Sequence, residues 1–128
     1  MIRVAVPAEN DEGLTSPICS HFGPAPYFAL VDLGDQGIRE VQTVSNPFCN
    51  QHAPGQVPGF LGSHDADVVL VGGIGARAIA FFEQSGIKTV SGAAGTVEEA
   101  IRFYLSGGLD EARPCDQSKE HGGSGFSK

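Results

Sequence analysis

The stretch that decides the fold is residues 67–76, which read Asp-Val-Val-Leu-Val-Gly-Gly-Ile-Gly-Ala. Its first part is a short run of β-branched and aliphatic residues, typical of a strand that is buried on both faces. The glycines that follow, Gly73 among them, permit a tight turn into a helix that we predict over residues 76–85. A buried strand that leads directly into a helix is typical of a parallel sheet covered by helices. The stretch therefore predicts an α/β fold.

The same alternation of strand and helix continues towards the C-terminus. Gly86 stands where a left-handed helix cap is expected, and residues 87–90 form the next apolar run. Thr96 and Glu99 have the spacing of a capping box, which predicts a helix that runs to about residue 105. This half of the chain therefore supplies two parallel strands, each followed by a helix.

The N-terminal half predicts three antiparallel strands instead. Residues 2–6 are apolar, residues 27–33 form a second run, and residues 38–44 alternate between apolar and polar side chains. The turn between the last two runs is rich in glycine, so we expect a hairpin there. A short helix is predicted over residues 57–63.

Together these elements predict one mixed five-stranded sheet flanked by helices. The first three strands would be antiparallel, and the first, fourth and fifth would be parallel. We predict that residues 1–111 form a single domain. The remaining residues, 112–128, are polar and rich in glycine and are expected to form a flexible tail.

Composition excludes several functional classes. A formal net charge of −7 with only eight Lys and Arg residues argues against a nucleic-acid partner, since phosphates are bound by basic clusters. No apolar run approaches the roughly 20 residues of a membrane span, and the N-terminus has no secretory signal pattern. Three cysteines without such a signal fit reduced thiols, so a cytoplasmic location is expected.

Two loops place a thiol close to an imidazole. Cys19 and His21 are two residues apart, and Cys49 and His52 are three apart. Thiolate and neutral imidazole are ligands for zinc, copper and iron–sulfur centres, so these four residues are the candidate metal ligands. Alternatively, the cysteines are small fillers and the histidines make ordinary loop hydrogen bonds. A looser pair in the tail, Cys115 and His121, is a further possibility.

Glycines mark the edge of the sheet where a ligand is expected. In sheets of this kind ligands bind beyond the carboxyl ends of the parallel strands, near the N-termini of helices. Gly73 and Gly75 follow one such strand and Gly92 and Gly95 follow the next, so their backbone N–H groups could face an anionic cluster. The glycines also allow tight turns without any ligand.

Other kinds of chemistry have less support. The run Gly73-Ile74-Gly75-Ala76-Arg77-Ala78 matches a dinucleotide fingerprint, but no acidic residue ends the next strand to bind a ribose. A cysteine nucleophile would need an orienting group and an oxyanion site, which the sequence does not indicate. Two-metal hydrolysis would require an acidic residue on the first strand as a metal ligand, and that strand carries none. We therefore predict that the protein is not an enzyme.

Several segments resemble the dinitrogenase iron–molybdenum-cofactor accessory family. They are His-Phe-Gly-Pro-Ala-Pro-Tyr-Phe at residues 21–28, Gly-Ile-Gly at 73–75 with Ala78, Gly-Ile-Lys at 86–88, and Gly-Thr-Val-Glu-Glu-Ala-Ile at 95–101, continuing through Leu105 to Gly107. The resemblance covers residues 1–109 in order. It implies a three-layer, ribonuclease-H-like fold without nuclease chemistry, and it places the cofactor-binding histidine of one carrier branch on His21.

The resemblance and the candidate ligands together predict a carrier of a metal or metal–sulfur cluster. An iron–sulfur, iron–molybdenum or molybdenum–copper cluster would be exchanged with donor and acceptor proteins. Two alternatives remain open. One is a regulatory or scaffold module that binds a protein partner and no metal, and the other is a redox sensor that forms a disulfide between Cys19 and Cys49.

Overall fold

The computed structural model describes residues 2–49 and 55–111, which form one mixed sheet with α-helices on both faces. The strands are β1 (Ile2–Ala8), β2 (Tyr27–Gly34), β3 (Gly37–Ser45), β4 (Val68–Leu70), β5 (Lys88–Ser91) and β6 (Asp110–Glu111). The helices are α1 (Gln56–Ser63), α2 (Ala76–Gln84) and α3 (Val97–Leu105), with a single 3-10 turn at Gly13–Thr15. None of the helices in these two ranges is long and apolar enough to cross a membrane.

The strand order in the sheet is β3-β2-β1-β4-β5-β6. β2 pairs antiparallel with both β1 and β3, whereas β4 pairs parallel with both β1 and β5. The five predicted strands and their directions are therefore confirmed. The structure adds β6, which pairs antiparallel with β5 through only two residues. So short a strand has no periodicity that a sequence could reveal.

Helices cover both faces of the sheet because its central strand is apolar on both sides. In β1, Val4 and Val6 pack on the side of α3, whereas Ala5 packs on the side of α1 and α2. All three residues are fully buried. The core thus consists of two apolar layers, one on each face of the sheet. We call them the α3 layer, which includes Ile101, and the α1–α2 layer, which includes Phe82.

The start of α3 confirms the predicted capping box. The Thr96 side chain accepts a hydrogen bond of 3.2 Å from the Glu99 amide, and the Glu99 carboxylate accepts one of 2.9 Å from the Thr96 amide. Two amides of the first turn are thereby satisfied within the protein, which stabilises this end of the helix.

Strand register brings the important loops to one edge of the sheet. Ala8 pairs with Tyr27, and Tyr27 pairs with Ser45, so β1 ends, β2 begins and β3 ends at the same edge. Because β4 and β5 run parallel to β1, they end there too. We call this edge, with the loops that follow β1, β3, β4 and β5, the loop edge. The segment that begins at Asn46 therefore starts at the loop edge, which the sequence did not establish.

An ion pair lies near the opposite edge. Arg3 donates to the Asp32 carboxylate through Nε at 2.8 Å and Nη2 at 3.2 Å, and through Nη1 to the carbonyl oxygen of His64 at 2.9 Å. The hydrogen bond and the positive charge lower the pKa of Asp32, and the same hydrogen bond raises the pKa of Arg3.

The prediction of a domain at residues 1–111 and a tail at residues 112–128 extends beyond the described residues. The strands and helices of the described residues all fall within residues 1–111, the range predicted to form the domain. The predicted tail, residues 112–128, lies outside the described residues, and both the tail and the domain boundary stay predictions.

Candidate functional site

A groove of about 460 Å³ lies at the loop edge between two segments of the chain. One wall is formed by residues 21–24 of the loop after β1, and the other by residues 73–75 of the turn after β4. The predicted site residues His21, Gly73 and Gly75 therefore line one groove, and all three are exposed. Among the described residues, the lining contains an imidazole but no carboxylate.

The N-terminus of α2 adjoins this groove. Gly75 is the residue that precedes the helix, its backbone is extended, and it makes no side-chain capping hydrogen bond. The first turn of an α-helix carries amides without intrahelical partners, and it has a partial positive charge. The groove therefore places an imidazole near a helix end that favours negative charge.

The His21 segment is attached to the protein on both sides. Before it, the amide of Cys19 donates to the carbonyl oxygen of Pro7 at 2.9 Å, and that of Ile18 donates to the carbonyl oxygen of Gly95 at 2.9 Å. After it, the half-buried Phe22 ring packs edge-on against the fully buried Phe82, with ring centroids 5.1 Å apart. His21 is thus exposed on a segment with anchors at both ends.

A buried asparagine joins this segment to the loop after β3. Asn46 is only 3% exposed, and its Nδ2 donates to the carbonyl oxygens of Gly23 at 3.0 Å and Ala25 at 2.8 Å. Its Oδ1 accepts a hydrogen bond of 2.9 Å from the amide of Phe48. The carbonyl oxygen of Asn46 also accepts a hydrogen bond of 3.4 Å from the amide of Cys49.

The predicted cysteine ligands share the loop edge with His21 but do not line its groove. Cys19 and Cys49 are both free thiols of intermediate exposure. Within residues 2–49 and 55–111, no three His, Cys, Asp or Glu side chains lie close enough together to hold one metal ion. His52 lies outside the described residues, as do Cys115 and His121, so their roles stay predictions.

The other two predicted glycines are engaged in backbone hydrogen bonds. The amide of Gly92 donates to the carbonyl oxygen of Gly72 at 3.2 Å, and the carbonyl oxygen of Gly95 accepts the bond from Ile18. Both glycines have positive φ angles, 94° and 82°, which other residues rarely adopt. These contacts give Gly92 and Gly95 a structural role, and cluster binding by them stays a prediction.

Two residues that position the site had no role in the sequence-based prediction. Phe22 stood within the His-Phe-Gly motif, but its contact with Phe82 joins residues that are distant in sequence. Asn46 directly precedes a proline, a pattern that indicates only a turn. The turn is present, since Asn46 bonds the amide two residues later, but the burial of its side chain had no local signal.

The chain is similar to known proteins over most of its length. The solved structure of PH0822 is 38% identical, with a TM-score of 0.75, over 86% of this chain and 96% of that one. The apo form of the orange protein from Desulfovibrio gigas is 29% identical, with a TM-score of 0.77, over 89% of this chain and 95% of that one. The protein MJ0580 of Methanocaldococcus jannaschii is 24% identical over 113 residues, which are 87% of this chain and 92% of MJ0580.

The family match covers the whole of the site described above. The model of the family described as dinitrogenase iron-molybdenum cofactor matches residues 1–107, a range that includes the groove and every element from β1 to α3. The chain therefore belongs to the dinitrogenase iron-molybdenum cofactor family.

Proposed function

We propose that this protein binds and carries a metal or metal–sulfur cluster without catalysing a reaction. The observation that carries the proposal is the groove in which His21 lies opposite Gly73 and Gly75 at the N-terminus of α2. The cargo would be an iron–sulfur, iron–molybdenum or molybdenum–copper cluster, in keeping with the family to which the chain belongs.

The chemistry of the groove suits an anionic inorganic cluster. A neutral imidazole can ligate a metal atom of such a cluster, such as iron or copper, through a ring nitrogen. Sulfide-rich clusters are negatively charged, and the amides at the start of α2 favour negative charge. The described lining residues include no carboxylate that would repel such a cargo, although the whole chain has a formal net charge of −7.

The sparse set of ligands supports carriage in preference to permanent binding. A structural metal is usually held by four fixed protein ligands, and the described residues contain no cluster of three candidates. A cargo held by His21 and a few further groups could be released to another protein. Cys19 and Cys49, on loops of the same edge, and His52 are the further ligands that we propose.

The proposal extends to the setting of the protein. Its partners would be proteins that donate and accept the cluster in the cytoplasm. We also propose a ribonuclease-H-like classification of the fold. The order β3-β2-β1-β4-β5, with β1, β4 and β5 parallel, supports that classification.

The direct test is metal analysis of protein that is purified without oxygen. Metal content and the absorption spectrum are measured before and after incubation with iron, sulfide, molybdate and copper. We expect stoichiometric metal with charge-transfer bands, and we expect His21→Ala to lose most of both. His64→Ala is the matched control, because His64 follows α1 and its carbonyl oxygen bonds Arg3 near the opposite edge.

Two outcomes would count against the proposal. Colourless, metal-free protein under every incubation would exclude carriage and favour the regulatory or scaffold alternative, which a pull-down for protein partners would then address. Equal metal loss in His21→Ala and His64→Ala would show that the groove is not the binding site. Cys19→Ala and Cys49→Ala, measured in the same way, test the additional ligands one at a time.

A further inference from the structure

Asn46 is a buried polar residue whose hydrogen bonds to other described residues lie within the loop edge. Its side chain is satisfied by the carbonyl oxygens of Gly23 and Ala25 and by the amide of Phe48. Its own amide donates to the carbonyl oxygen of Pro26 at 2.9 Å. A buried amide group with these partners is costly to replace, because each partner would lose its hydrogen bond inside the protein.

The partners of Asn46 belong to the two segments that carry candidate ligands. Gly23 lines the groove two residues after His21, and Cys49 follows Asn46 within one turn, where its amide bonds the Asn46 carbonyl oxygen. Asn46 therefore links the His21 segment to the Cys49 segment through one side chain and its own backbone.

The sheet does not depend on this side chain. β2 and β3 pair through their own backbone ladder, which runs from Tyr27 opposite Ser45 to Gly34 opposite Gly37. The α3 layer, which includes Ile101, makes none of the Asn46 contacts given above. Loss of the Asn46 donors should therefore change the loops at the groove and leave the strand pairing in place.

We propose that Asn46 is the positioning residue of the cluster groove. It fixes residues 21–26 in the conformation that presents His21 opposite Gly73 and Gly75, and it holds the Cys49 segment in register with them. This role rests on the proposed function of the groove. Asn46 acts through the loops and does not itself contact the cargo.

Asn46→Asp is the sharpest test, because it keeps the shape and the Oδ1 acceptor but removes both donors. In the metal-free protein, the Phe48 amide should stay protected from hydrogen exchange. The amide chemical shifts of the non-proline residues within 21–26 should change. Asn46→Ala should lose the protection of the Phe48 amide as well. Ile101→Val is the control, because it removes a buried methyl group from the α3 layer, whereas Phe22 and Phe48 of the two loops pack with the α1–α2 layer.

Cluster loading supplies the second measurement. The variants are titrated anaerobically with iron and sulfide, and separately with molybdate, copper and sulfide. We expect Asn46→Asp to bind the cluster that loads the wild type about tenfold more weakly, the scale seen when groups that orient metal ligands are removed. Ile101→Val should bind it as the wild type does.

The outcomes separate this inference from the proposed function. Wild-type affinity in Asn46→Asp, or an equal loss in Ile101→Val, would overturn the positioning role while cluster binding stands. If the wild type loads no cluster, the proposed function fails, and the amide shifts alone decide the role of Asn46. Shifts confined to residues 21–26 and 46–49 would then support it, and unchanged shifts would refute it.

Discussion

Replacing Phe22 by alanine is expected to lower the free energy of unfolding by about 2 kcal/mol. The ring of Phe22 is half-buried, and it covers the fully buried ring of Phe82 at a centroid distance of 5.1 Å and an angle of 64°. The substitution would uncover Phe82 and release the segment that follows His21. Stability and site geometry should therefore change together.

The magnitude follows from burial and ring geometry. A fully buried phenylalanine costs about 3–5 kcal/mol when replaced by alanine, and a half-buried one should cost roughly half of that. About 1 kcal/mol of the loss belongs to the edge-to-face contact itself. Phe22→Leu keeps most of the apolar volume but not that contact, so it should cost only about 1 kcal/mol.

Urea unfolding followed by far-UV circular dichroism is a suitable assay, since the chain has no tryptophan. A loss of about 2 kcal/mol corresponds to a fall of roughly 8 °C in Tm for a domain of this size. Phe103→Ala is the matched control, because Phe103 is 53% exposed on α3 and its loss should change stability by no more than about 0.5 kcal/mol. Equal effects of the two substitutions would refute the anchoring role of Phe22.

Two further predictions concern residues away from the groove. Thr89 is 3% exposed, and its hydroxyl has no hydrogen-bond partner among the described residues, so Thr89→Val should raise the free energy of unfolding by about 1 kcal/mol; an unchanged or lower value in urea unfolding would contradict this. Asp32→Asn should lower stability by about 1 kcal/mol at pH 7, because the ion pair with Arg3 is half-buried and bidentate. Since the pKa of Asp32 is lowered in the folded protein, this contribution is present above the unfolded value of about 3.8 and is lost as the pH falls through the folded pKa. Unfolding curves of the wild type and Asp32→Asn should therefore converge in acid, and a constant difference down to about pH 2 would contradict the prediction.

The elements of the fold were predictable because their signals are local. β4 and α2 follow from one stretch of β-branched residues and glycines, and the start of α3 follows from Thr96 and Glu99 alone. Such patterns concern neighbours within one or two turns of chain, where propensity and capping act directly.

The assembly of the site depends on contacts that no local pattern reports. The Cys49 segment begins at the loop edge only because β1, β2 and β3 pair in one particular register. Asn46 bonds residues 23 and 21 positions earlier in the chain, so its burial follows from the tertiary structure. The sequence could therefore name His21 and Cys49 as candidates but could not establish which glycines share a groove with His21.

Glycine patterns illustrate the same ambiguity. Gly73 and Gly75 line the groove, whereas Gly92 and Gly95 make backbone hydrogen bonds that hold loops together. Both pairs follow a parallel strand and precede a helix, so the sequence made no distinction between them. The distinction arises from the loop after β1, which crosses the loop edge and bonds Gly95 through Ile18.

The two edges of the sheet differ in how much change in chain length they can accept. At the loop edge, Ile18 bonds Gly95 on the α3 side and Phe22 packs against Phe82 on the other side, so the few residues between them span both helical layers. An insertion there would have to keep both attachments. The turn between β2 and β3 is exposed at Asp35 and Gln36 and lies at the far edge, where longer loops are usually tolerated. A fluorescent label or an affinity tag inserted at that turn is therefore expected to leave the groove at the other edge intact.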